Sequence, residues 1–61
     1  MIIGIKTRFG KLWVNRDKIS SFCYIASRNE TEITLNSGQE YVVDGDVTEE
    51  LAARFDKIAI I

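Results

Sequence analysis

The sequence predicts an α+β domain, a small antiparallel five-stranded sheet or open barrel followed by one C-terminal helix. Three observations carry this reading. Apolar and polar side chains alternate around residues 2–8, 12–14, 31–35 and 39–43, the two-residue period of a strand. Turn-forming residues separate these runs, most clearly at Gly10 and at Asn36-Ser37-Gly38. After Asp44-Gly45 the apolar spacing lengthens: Val47, Leu51, Phe55 and Ile58 recur at helical intervals.

Ile3 and Ile5 share one face of the first strand, and Lys6 and Arg8 lie on the other. Arg8-Phe9-Gly10-Lys11 forms the first turn, and Leu12-Trp13-Val14 resumes the sheet until Asn15-Arg16-Asp17-Lys18 breaks it. The third run, Ile19 to Ala26, is apolar on both faces from Phe22 onward, as in a strand covered on both sides. Ser27-Arg28-Asn29-Glu30 closes the next hairpin. Ile33 and Leu35 then point inward, as do Tyr41 and Val43 after the turn at Gly38. A helix is expected over about residues 46–58. Asp46 stands at its N-cap, Glu49 lies three residues on as in a capping box, and Lys57 sits in the last turn. No proline interrupts the pattern.

All 61 residues belong to a single domain. A chain of this size buries only about 60% of its unfolded surface, so its core must be thin. The single cysteine, Cys23, excludes an internal disulfide, and its apolar setting predicts a small buried side chain. Lys6 and Arg8 cut the opening apolar run too short for a signal peptide or a membrane span. The expectation is a cytoplasmic protein with no membrane insertion.

Chemistry-bearing groups are sparse. There is no histidine, the commonest general base and metal ligand, and Cys23 has no second thiol with which to share a zinc ion. No glycine cluster could cradle a phosphate. Asp44 and Asp46 flank Gly45 as in half of a calcium loop, but the remaining ligands do not follow, and a helix cap suits them better. These absences predict a protein that is not an enzyme, with no catalytic residue, metal, cofactor or small-molecule substrate.

The net charge of −1 conceals an asymmetry. Residues 1–28 carry six cations against Asp17, +5, and residues 29–61 carry eight acids against Arg54 and Lys57, −6. Either the halves neutralise each other across strands, or Lys6, Arg8, Lys11, Arg16 and Lys18 form a basic strip beside Trp13 able to hold nucleic acid. A pI near 5.2 disfavours nucleic acid.

One helix covers one sheet face. Trp13, Phe22, Tyr24 and Val42 are therefore assigned to the uncovered side, with Ile60 and Ile61 at an apolar end. A contiguous apolar set containing tryptophan marks a contact site, here for a homo-oligomer or a larger protein partner. A sheet curled into a small barrel would instead bury both faces.

Residues 9–19, Phe9-Gly10-Lys11-Leu12-Trp13-Val14-Asn15-Arg16-Asp17-Lys18-Ile19, together with 31–43, Thr31-Glu32-Ile33-Thr34-Leu35-Asn36-Ser37-Gly38-Gln39-Glu40-Tyr41-Val42-Val43, resemble the small flagellar FlbD-type proteins over roughly residues 5–58. That likeness implies a bacterial cytoplasmic accessory protein without catalysis, and it transfers no site residues. The strand-turn-strand-helix tail also resembles the last part of LytTR DNA-binding domains. Thr7-Arg8 near Gly10 is similar to the RNA-binding regulator family CsrA, but Asp44-Gly45-Asp46 stands where that family has a basic residue, which weighs against RNA.

Overall fold

In a computed structural model of residues 1–61, five strands form two open antiparallel sheets that face each other across a small core. Strands β1 (Ile2–Thr7) and β2 (Gly10–Asn15) make a hairpin. After one 3-10 turn (Arg16–Lys18), β3 (Ile19–Ile25), β4 (Glu30–Leu35) and β5 (Glu40–Asp44) form a meander in the order β3-β4-β5, and α1 (Thr48–Ala52) follows. No barrel closes. A single backbone bond, Arg8 N–H to the Val42 carbonyl at 2.7 Å, joins the edge of β1 to the edge of β5.

Alternation does its predicted work in the hairpin. Ile3, Ile5 and Val14 are buried, and their neighbours Ile2, Gly4, Lys6 and Trp13 are exposed. Ile19, Ile33 and Val43 meet them from the second sheet, and Leu51 of α1 closes one end. Leu12, Leu35, Phe22, Val47 and Phe55 pack around this centre. Tyr41 shares the inward face through its register with Ile33, but it reaches only the rim. There it is half-buried and makes an edge contact with Phe9, ring centroids 6.4 Å apart.

Strand β3 departs from its predicted covering. Its register on β4 shifts between Ile19 and Ser21, where the extra residue makes a bulge. Simple alternation from Ile19 would send Phe22 outward. The bulge returns it to the core side opposite Ile33, where it stacks on Phe55 at 6.0 Å. Cys23, opposite Glu32, is consequently exposed rather than buried.

The helix is much shorter than its sequence pattern. The N-cap is Val47 rather than Asp46, with no side-chain capping bond, and Glu49 completes no capping box. Asp46 stands one residue ahead, where Thr48 N–H and the Thr48 hydroxyl both donate to its Oδ1, at 3.0 and 2.6 Å. Those bonds, the hydroxyl's first, lower the Asp46 carboxyl below its ordinary value. Past Ala52 the amides of Arg54 and Phe55 bond three residues back, to Leu51 and Ala52. The Arg54 carbonyl, which a continuing α-helix would offer to residue 58, instead accepts from Arg16 Nη1 at 2.6 Å. Phe55 is thereby held against Phe22, while Lys57 and Ile58 lie outside the helix. No helix is long and apolar enough to cross a membrane.

Much of the charge asymmetry is resolved between the halves. Glu30 and Asp44 are directly opposed across β4 and β5, a repulsive arrangement that Arg8 bridges. Its guanidinium is held above its ordinary pKa chiefly by the bond to Asp44. Arg28 reaches Glu30 and Glu32 at 3.4 Å each, and Arg16 reaches Asp56 at 2.9 Å.

Candidate functional site

The outward face of the first hairpin is the feature that packing does not consume. Register places Gly4 directly opposite Trp13, and Lys6 opposite Lys11. The indole leans across the strand onto the glycine. A Cβ built at Gly4 would lie 2.7 Å from Cζ3 of Trp13, closer than real Cβ atoms approach, and 3.0 Å from Cε3. Gly4 is therefore required for close approach, and its backbone is ordinary strand. Lys11 Nζ stands 5.0 Å from the centroid of the same ring, within cation–π range.

Even so, Trp13 is 67% exposed, and Ile2 on the same face is 63% exposed. Phe9, in the turn that ends the hairpin, is exposed as well. Neither Lys6 nor Lys11 has an acid within salt-bridge distance, so the face is positive as well as apolar. A flat ring laid against backbone, with cations at its border, can stack on a planar group or anchor a protein contact.

The structure separates the sequence-predicted sets. Of the five cations, Lys6 and Lys11 border Trp13; Arg8 and Arg16 are engaged by acids; Lys18 sits in the 3-10 turn beyond β2. The apolar set is no single patch either. Trp13 is on the hairpin, and Val42 is half-buried on the outer face of the second sheet opposite Glu32. Phe22 belongs to the core side. Tyr24 shares that side, half-buried, with its hydroxyl donating to Asn29 Oδ1 at 2.7 Å. Ile60 and Ile61 are almost wholly exposed beyond the last turn. Gly4 escaped the sequence reading. Its signal was the two-residue turn Arg8-Phe9, which fixes a register that sets the glycine opposite the only tryptophan.

Replacing Gly4 by alanine isolates the ring contact, because no positive φ is involved. The added methyl group is expected to lift the indole, raising acrylamide quenching of Trp13 fluorescence and shifting its emission to the red. The unfolding midpoint should move little, with a stability change within about 1 kcal/mol. An unchanged quenching constant would show that the ring does not rest on the glycine.

Two hollows remain. One, of about 470 Å3, lies between β1 and the segment from β5 through α1; Ile5, Val43, Val47 and Leu51 line it, with Lys6, Arg8, Glu50 and Arg54 among its polar residues. The other, of about 140 Å3, lies between β3 and the segment after α1. No three His, Cys, Asp or Glu side chains converge as metal ligands. No protein-family model, curated protein or solved structure matches this chain.

Proposed function

We propose that this domain is a non-enzymatic interaction module that associates with a second copy of itself, acting in the cytoplasm as an accessory or regulatory factor of a bacterium or phage. The observation that carries the reading is Trp13, mounted on Gly4 yet 67% exposed, with Ile2 beside it. Exposing a large aromatic forgoes burial worth about 1.5–3 kcal/mol in a domain whose own core is small. A partner that covers the ring recovers that energy, and buried tryptophans are frequent anchors of interfaces.

Sedimentation velocity across micromolar concentrations tests this. The wild-type chain is expected to reach twice its 6.9 kDa mass. Trp13→Ala should weaken self-association roughly 30-fold, the loss expected for an anchor residue worth about 2 kcal/mol. An association constant untouched by that change would sink the reading.

The unpaired Lys6 and Lys11 beside the ring favour one alternative, a binder of single-stranded nucleic acid that stacks a base on Trp13. Salt separates the two readings. Phosphate binding weakens steeply between low and moderate salt, and an apolar contact does not.

A further inference from the structure

We propose that the free edge of β1 receives residues 57–61 of a second copy as an added antiparallel or parallel strand, with Ile58 and Ile60 entering the 470 Å3 cleft beside it. This names the partner segment for the self-association reading and rests on it.

The hydrogen-bond pattern defines the edge. Met1 accepts from Arg16 across the hairpin, so the odd residues of β1 face β2. Residues 2, 4, 6 and 8 therefore turn their amides and carbonyls the other way. Arg8 confirms the alternation, since its amide goes to Val42. From that point the sheets part, leaving the Gly4 and Lys6 backbone groups without a strand partner. An unpaired edge beside an apolar hollow is the geometry in which proteins take up an extended segment. The outer edges of β2 and β3 have no comparable cleft of this size.

The same chain carries a segment with the matching deficit. Residues 57–61 have no secondary structure, and Ile58, Ile60 and Ile61 are 55%, 95% and 121% exposed. Three isoleucines in five residues with no proline form a strand-prone sequence that lacks a sheet. Five residues also match the length of the free edge, residues 2–6. In a strand Ile58 and Ile60 share one face and suit Ile5, Val47 and Leu51. Ala59 and Ile61 then emerge on the other face, the side on which Trp13 lies, so a single added strand would cover both the edge and the ring.

The segment's own anchors direct it elsewhere. Asp56 is tied to Arg16, Phe55 to Phe22, and Lys57 and Ile58 line the smaller hollow along β3. A neighbouring copy is the available acceptor.

Hydrogen exchange of the Gly4 and Lys6 amides, followed against concentration alongside sedimentation, tests the proposal. Both amides should exchange rapidly in dilute protein and at least tenfold more slowly once the chain associates. Ile60→Asp, at a position with no folded-state contact to lose, should abolish that protection and weaken association at least tenfold. Lys6→Pro removes one edge donor without touching the β1–β2 ladder and should act likewise. Association that persists in Ile60→Asp, or that leaves both amides fast, overturns the strand proposal while sparing the Trp13 reading. Protection independent of concentration places the segment in its own cleft and overturns the exchange between copies. A wild-type chain monomeric throughout overturns both.

Discussion

Ile33→Ala is expected to remove roughly half of the domain's folding stability at 25 °C. Ile33 is 0% exposed at the middle of β4, the central strand of the three-stranded sheet, flanked in register by Phe22 and Tyr41. Truncating such a side chain removes transfer energy and leaves a cavity, together about 2–5 kcal/mol. Only seven apolar residues are buried here, so neighbours can do little to fill the space. Stability scaled to this length is about 3–9 kcal/mol in total. Urea titration followed by circular dichroism should show the midpoint collapse or the transition lose its folded baseline. A loss below about 1 kcal/mol would mean that the two sheets do not share this core.

Thr31→Val should cost about 2–4 kcal/mol although it keeps the shape of the side chain. Thr31 is also 0% exposed, and its hydroxyl serves two backbone groups. It donates to the Gly45 carbonyl at 2.7 Å and accepts from Val47 N–H at 3.1 Å. The connection between β5 and α1 is therefore fastened to β4 by one oxygen. Valine strands both backbone groups, each at about 1–3 kcal/mol, and releases the segment that brings Leu51 to the core. Thr31→Ser keeps the oxygen and loses only a methyl, so it should cost about 1 kcal/mol. Valine as stable as the wild type, or serine the worse of the two, would assign the role to the methyl group.

Local signals explain why some of this was legible. The alternation of Ile3 and Ile5, of Ile33 and Leu35, and the turn at Gly38 needed only neighbouring residues to be interpreted, and the strands lie where those signals put them. The cap shifts by one residue, from Asp46 to Val47, and the larger failures involve a distant group. Nothing within residues 46–58 reveals that Arg16 will bind the Arg54 carbonyl and Asp56 just past the point where the helix ends. The bulge at Ser20, whose hydroxyl donates to the Thr34 carbonyl at 3.1 Å, reverses the faces of Phe22 and Cys23, and a pattern read along one strand cannot contain it. Glu30 is buried at 7% exposure beside Arg8 and Arg28, a burial that composition argues against until its two cations are placed. For the candidate site, Trp13 stood out by itself, but its platform, Gly4, emerges only from cross-strand register.

Whether the tryptophan face finds cover in a second molecule is read most directly by static light scattering over a micromolar dilution series. The predicted result is a mass rising from 6.9 kDa to twice that value, with Trp13 becoming less accessible to quencher in step. A mass fixed at 6.9 kDa throughout, with the ring equally quenchable at every concentration, would contradict it.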